Sequence, residues 1–153
     1  MLRILYYTRP ELCLEIHIEE ETITRISFCE IALNTLVEGA FEEDVIRQFD
    51  EYFQGQSQEI DLPFFATGTP FQLMVWEELL KVPYGETVSY STLAQRIDRP
   101  KAVRAVGNAL NRNPIAIIVP CHRVIAGNGK LGGFAVDLGI KRFLLDLEHQ
   151  GQP

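Results

Sequence analysis

The stretch IVPCHRVI, from Ile118 to Ile125, sets one cysteine between a proline and a histidine at the end of an apolar run. Cationic neighbours lower a thiol pKa and raise the thiolate fraction, and an adjacent imidazole can take the proton. Cys121, followed directly by His122 and Arg123, is therefore a candidate nucleophile with His122 as its base. A base of this kind needs a third group to orient it, and Glu148 is a candidate. It falls in the last turn of a predicted helix from Gly139 to about Glu148, with Ile140, Phe143, Leu144 and Leu147 as its apolar face. A carboxylate there opposes the helix dipole, so it is either held by a partner or a frayed surface residue. The bland alternative for Cys121 is a small core side chain, and for His122 a structural histidine.

The other two cysteines read differently. Three is an odd number and argues against a disulfide framework, so Cys13 and Cys29 are expected to stay free as small apolar residues. If Ile16 pairs with Ile26, that register sets Cys13 opposite Cys29. A zinc site built on them fails on reach: His17 shares a strand face with Cys13, but four residues along a strand span roughly 13 Å. No metal and no cofactor are expected. A thiol-redox protein would want a second cysteine near Cys121, and none lies between Cys29 and Cys121. Papain-like signatures are absent as well, which argues against a cysteine hydrolase.

The elements that must position these groups fall into two parts. Leu12, Leu14, Ile16 and Ile18 alternate with Cys13, Glu15, His17 and Glu19, and Ile26 and Phe28 continue the period of two after Glu20–Thr22; a hairpin is expected. Residues 42–54 bring Val45, Phe49 and Phe53, or Ile46 and Phe49, onto one helical face, and Gly55 supplies a stop. DLPFFATGTP, residues 61–70, holds two prolines and a glycine and reads as a linker. The expected division is 1–62, a linker at 63–70, and 71–153.

The second part opens with a helix, FQLMVWEELLKV, closed at Pro83-Tyr84-Gly85. Ser89 can cap a short helix whose Tyr90, Leu93, Ala94 and Ile97 share a face. Asp98-Arg99-Pro100 breaks it before a second helix from about Lys101 to Asn111, a helix-turn-helix pattern. On that second helix Ala102, Val103, Val106, Ala109 and Leu110 form the expected buried stripe. Arg104 lies almost opposite, flanked by Gly107, Asn108 and Asn111, a face low in bulk and rich in donors. Charge follows the same division. Residues 1–67 carry four basic and fourteen acidic side chains, whereas 68–153 carry ten basic and seven acidic. Between Arg96 and Lys130 seven basic residues face one acid, Asp98. The net charge of -7 thus conceals a basic half, read either as a solvated face or as a surface for a polyanion. The longest apolar run, Ile115 to Val119, is far too short to cross a bilayer, and the N-terminus lacks the features of a signal peptide. A cytoplasmic protein with no membrane partner is the plain expectation.

Taken together, Asn113-Pro114-Ile115-Ala116-Ile117-Ile118-Val119-Pro120-Cys121-His122-Arg123-Val124-Ile125 resembles the active-site signature of the O6-alkylguanine-DNA alkyltransferases, or methylated-DNA–protein-cysteine methyltransferases. The resemblance runs from about Phe71 through Glu148 and includes Val82-Pro83-Tyr84-Gly85-Glu86, Ser89-Tyr90 and Ala102-Val103-Arg104-Ala105-Val106-Gly107. The first part is similar only in its strands followed by a helix, as in the family's ribonuclease-H-like domain. The fold so implied is α+β: an N-terminal ribonuclease-H-like antiparallel sheet plus helix, then a mostly helical, winged-helix-like DNA-binding domain.

The function implied is DNA repair by direct reversal. The protein would act as a monomer on double-stranded DNA carrying O6-alkylguanine, bound through the minor groove. One alkyl group would pass irreversibly from O6 of guanine, or O4 of thymine, to a cysteine after base flipping. By that resemblance Cys121 is the acceptor, His122 its base through a water, and Glu148 the group that orients His122. Asn113 holds the active-site turn, and Tyr90 meets the flipped nucleotide near its 3′-phosphate and guanine N3. Arg104 fills the gap left in the duplex, with Ala105, Gly107 and Asn108 of the same helix also at the DNA. The carbonyls of Cys121 and Val124 accept from the guanine amino group, and the amide of Ala135 donates to O6. One departure stands out. The family commonly has a tyrosine, then Ser or Ala, then two glycines, where this chain has Phe134-Ala135-Val136-Asp137, so alkyl-group preference is expected to differ. A non-catalytic damage-binding module on the same scaffold would lack the cysteine.

Overall fold

A computed structural model describes residues 1–30, 37–132 and 138–151. Beyond the expected hairpin of β2 (Cys13–Glu19) and β3 (Thr22–Phe28), a further strand, β1 (Leu2–Thr8), pairs antiparallel with β2 in the order β1-β2-β3. The register sets Ile16 against Ile26, the pairing that would bring Cys13 opposite Cys29. Leu5, Tyr7, Leu14, Ile16, Ile18, Ile23 and Ile26 are buried on one face. The two-residue turn takes positive φ at both Glu20 and Glu21, as a turn matched to strand twist requires.

Cys13 and Cys29 are joined by a disulfide, with Cα atoms 5.3 Å apart, which corrects the expectation that both stay free. An odd count demands only one unpaired thiol, and that is Cys121. Cross-strand register did the rest: the Cys29 amide donates to the Cys13 carbonyl, one step beyond the β2–β3 ladder.

Helix α1 (Ala40–Phe53) buries Val45, Phe49, Tyr52 and Phe53, with Phe49 and Phe53 against Tyr7 of the sheet, and Gly55 ends it with a positive φ. The segment expected as a linker is less free than its prolines suggested. The Ile23 amide donates to the Pro63 carbonyl and the Phe65 amide to the Ile23 carbonyl, both at 2.9 Å, so residues 63–65 extend the sheet edge. Thr69 then caps α2 (Pro70–Leu79) in a capping box with Gln72, with Pro70 in the first turn where its missing N–H costs nothing.

The helix-turn-helix is present as α3 (Tyr90–Arg96), capped by Ser89, and α4 (Val103–Asn111). Trp76 of α2 donates from its indole to the Ala109 carbonyl at 2.9 Å, tying α2 to the end of α4. Val106, Ala109 and Leu110 are buried as expected, but Ala102, the residue before the helix, is only half-buried and Val103 is 37% exposed, so both leave the stripe. Val103 is the first residue of α4, and at a helix end periodicity alone overstates burial. Two short parallel strands, β4 (Val88–Ser89) and β5 (Val124–Ile125), join the approach to α3 to the residues after Cys121. The last helix, α5 (Leu138–Gln150), runs two residues past its expected end. Buried side chains of both halves form one contiguous core. Among the described residues no helix is long and apolar enough to cross a membrane.

Candidate active site

The approach to Cys121 is a tight turn held by one side chain. Asn113 accepts from the Ile115 amide at 2.9 Å through Oδ1 and donates to the Val119 carbonyl at 2.8 Å through Nδ2. Between them Ile117 sits in the left-handed region at φ 71°, unusual for a β-branched residue. Such a conformation costs of order 1–3 kcal/mol and persists only where surrounding structure fixes it. Asn113 supplies part of that fixing. A second part comes from β3, whose Ile26 amide donates to the Pro114 carbonyl and whose carbonyl accepts from the Ala116 amide.

Cys121, His122 and Arg123 then form a single 3-10 turn that aims three functional groups in different directions. His122 is buried, and its Nε2 lies 2.8 Å from Oε2 of Glu148, which is also buried. Arg123 grips the same carboxylate with two hydrogen bonds of 2.8 Å, from Nε to Oε1 and from Nη2 to Oε2, and donates from Nη1 to the Val82 carbonyl. Tyr52, from α1, adds a fourth donor, its hydroxyl lying 2.5 Å from Oε2. Glu148 is thus no frayed surface residue.

Electrostatics follow from these contacts. Burial alone would raise the Glu148 carboxyl, but hydrogen bonds from His122 and Arg123 outweigh it and hold the group well below the usual carboxylate range. An ionised carboxylate only accepts, so His122 Nε2 carries the hydrogen and Nδ1 of the neutral ring is left as a lone pair. That Nδ1 is buried and has no hydrogen-bond partner among the described residues. Burial pushes His122 down, with Glu148 opposing and the charges of Arg123 and Lys141 assisting. The imidazole is therefore neutral and able to receive a proton near pH 7.

The thiol corrects one expectation. Burial pushes Cys121 up, and the Asn113 side chain and the Lys141 charge offset only part of that. In the folded protein desolvation outweighs the cationic neighbours that the sequence suggested would lower it, because Arg123 is committed to Glu148. The thiol needs a base, and the neutral imidazole next to it is one.

Lys141 was not anticipated. Its side chain is fully buried, and Nζ donates to the carbonyls of Val124 at 2.6 Å and Leu131 at 2.5 Å. Burial brings its pKa down to about 8, with Cys121 opposing. Its position seven residues before Glu148 on α5, with Leu144 between, was the available signal: the three share one inward face. Tyr52 carried no such signal, since 96 residues separate it from Glu148.

Of the remaining candidates, Tyr90 is half-buried at the start of α3. It has Lys141 Nζ 5.9 Å from its ring centroid and Gly132 packed so closely on the ring that a Cβ there would clash. Val124 is buried in β5. Arg104, Ala105 and Asn108 are exposed on α4, with Gly107 half-buried between them. Ala135 and the rest of Phe134–Asp137 lie outside the described residues. Cys121 lines a cavity of about 180 Å³ together with Arg25, Ser27, Asn113 and Ala116. A larger cavity of about 390 Å³ is bounded by Tyr52, Tyr84 and Arg123, and Cys121 does not line it. No group of three or more metal-ligating side chains occurs among the described residues.

A thiol with an imidazole and a carboxylate behind it, next to an exposed helix-turn-helix, defines a protein built around a nucleophilic cysteine and a nucleic-acid-binding type of scaffold. Two family models match the chain: the DNA-binding domain of 6-O-methylguanine DNA methyltransferase over residues 70–150, and its ribonuclease-like domain over residues 13–65. The chain belongs to the methylated-DNA–protein-cysteine methyltransferase family. It is 55% identical over 108 residues to the Methanosarcina acetivorans enzyme of that name, covering 71% of this chain and 69% of the relative. The crystal structure of Mycobacterium tuberculosis O6-methylguanine methyltransferase superposes with a TM-score of 0.89 at 40% identity, covering 100% of this chain and 96% of that one. A second structure of the mycobacterial protein, in complex with DNA, matches with a TM-score of 0.86 at 41% identity over 97% of this chain and 93% of that one.

Proposed function

We propose that this chain repairs alkylated DNA by direct damage reversal, accepting the alkyl group on Cys121. The observation that carries this reading is the Cys121-His122-Glu148 constellation beside an exposed helix-turn-helix. The work divides along the chain: residues 71–153 bind DNA and accept the alkyl group, residues 1–62 buttress the site, and 63–70 connect them. The substrate is double-stranded DNA carrying O6-alkylguanine, bound by a monomer through the minor groove. Arg104, with Ala105, Gly107 and Asn108, faces the duplex, and the target base must leave the stack because its alkylated oxygen lies inside it.

In the reaction the Cys121 proton passes through a water to Nδ1 of His122, and Glu148 stabilises the imidazolium so formed. The thiolate attacks the saturated carbon on O6; the new C–S bond forms as the C–O bond breaks, and its electrons remain on guanine. The base leaves as its anion or, protonated near N3 from Tyr90, as neutral guanine. Asn113 keeps the thiol in place, and the carbonyls of Cys121 and Val124 hold the guanine amino group. Lys141 already donates to the Val124 carbonyl, which leaves that oxygen a second lone pair for the base. The cavity at Cys121 gives the transferred group room.

The product is a thioether, with no carbonyl for water to attack and no good leaving group, so each molecule acts once. Incubation with duplex DNA bearing a methyl-labelled O6-methylguanine, then denaturing electrophoresis and peptide mapping, should leave up to one equivalent of label on Cys121. Sustained turnover, or label on another residue, would overturn the mechanism.

A further inference from the structure

Tyr52 is a residue of the N-terminal half that touches the catalytic carboxylate directly. Its ring is 2% exposed and packs edge-on against Phe53 and Tyr84, while its hydroxyl reaches Oε2 of Glu148 at 2.5 Å. Oε2 is also the oxygen that faces His122 Nε2, and it receives Arg123 Nη2 as well. Three donors thus share one oxygen, whereas Oε1 receives only Arg123 Nε among the described residues. Core packing alone does not require a hydroxyl here, since a phenylalanine would fill the same ring space.

We propose that Tyr52 is a positioning residue for alkyl transfer, its hydroxyl fixing Glu148 Oε2 and setting how strongly that carboxylate pulls on His122. The inference rests on reading Cys121 as the alkyl acceptor. A donor on a carboxylate oxygen draws off negative charge that would otherwise stabilise the imidazolium. With the Tyr52 hydroxyl in place, Glu148 orients His122 but holds its protonated form less tightly, which keeps the ring neutral and available as a base at lower pH. Removing the hydroxyl concentrates charge on Oε2 and raises the His122 pKa. The other groups that act on this pair are Arg123 beside His122, Lys141 from α5 and Tyr84 ahead of β4. None of these comes from α1. Tyr52 brings the acidic half of the chain into contact with the proton-transfer groups, beyond scaffolding.

The test is Tyr52→Phe in the full chain, read as the pH profile of single-turnover methyl transfer from O6-methylguanine duplex DNA. A parallel NMR titration of His122 in the DNA-free protein provides a second reading. The acid limb of the rate and the His122 titration should both move up by about 0.5–1 pH unit, while Tyr7→Phe, which removes a hydroxyl bonded to Asp50 in the same half, should leave both unmoved. Replacing Tyr52 with a ring-fluorinated tyrosine keeps the packing, strengthens the donor, and should move both downward; it serves if Tyr52→Phe folds poorly. A rate lowered equally at every pH, with an unchanged His122 titration, would reduce Tyr52 to packing and overturn the proposal. A wild-type protein that takes no label at Cys121 would instead sink the alkyl-transfer reading, while the His122 titration still decides the role of Tyr52.

Discussion

Ile26 and Ile115 pair in parallel, each buried, across the boundary between the sheet and the active-site turn. Two backbone hydrogen bonds make the join, from the Ile26 amide to the Pro114 carbonyl at 2.8 Å and from the Ala116 amide to the Ile26 carbonyl at 3.1 Å. They brace the turn on the side opposite Asn113, where Ile117 holds its unfavourable φ.

The disulfide lies at the end of that same β3 strand. Titrated in denaturant without reductant, the protein should show one free thiol, Cys121, and after reduction three. Replacing Cys13 and Cys29 with alanine should lower unfolding stability in urea by about 3 kcal/mol, the chain-entropy expectation for a loop of roughly 15 residues. Three free thiols in the oxidised protein would contradict the pairing.

Arg104 is exposed on α4, so its replacement should cost little stability. Arg104→Ala should slow repair of duplex DNA by roughly tenfold or more while sparing transfer from a free alkylated base, which needs no extrusion. Binding should weaken as salt rises, despite the net charge of -7, and less steeply in the variant. Equal losses on both substrates would refute the gap-filling role.

Glu148→Gln should destabilise the fold by about 3–5 kcal/mol at pH 7, because Arg123 and His122 lose their buried counter-charge. The sign with pH follows from a depressed carboxyl. Its contribution is fully present above the ordinary glutamate value of about 4.3 and is lost as pH falls toward the lower folded-state value. In urea titrations the gap between wild type and variant should hold from pH 8 to pH 6, as an approximate window, and narrow below about pH 4. A gap that stays constant in acid would mean that Glu148 is not held as an anion.

Lys141→Met removes the cation that partly offsets burial of the Cys121 thiol. Iodoacetamide alkylation of Cys121 at neutral pH should slow by roughly tenfold, one pKa unit of lost thiolate. In the wild type the alkylation rate should climb with pH but flatten past about 8, where Lys141 itself loses its proton and its help. An unchanged rate in the variant would sever the link between the two groups.

Local periodicity and local chemistry were enough for much of this protein. The alternation around Ile16 and Ile26 marked the hairpin and its buried face, Ser89 marked the start of α3, and the outward face of Arg104, Gly107 and Asn108 followed from helical geometry. The order Pro120-Cys121-His122-Arg123 singled out the candidate nucleophile and its candidate base, because these residues are contiguous and their types are few. What only the tertiary structure decided was decided by burial and by distant contact. Burial, not the adjacent arginine, controls the Cys121 thiol, since Arg123 turns away to Glu148. The disulfide needed the strand register and the exact spacing of two sulfurs, which a cysteine count does not convey. Tyr52 and Glu148 meet only because α1 and α5 converge beneath the site, and a hydrogen bond across 96 residues leaves no periodic trace in either helix.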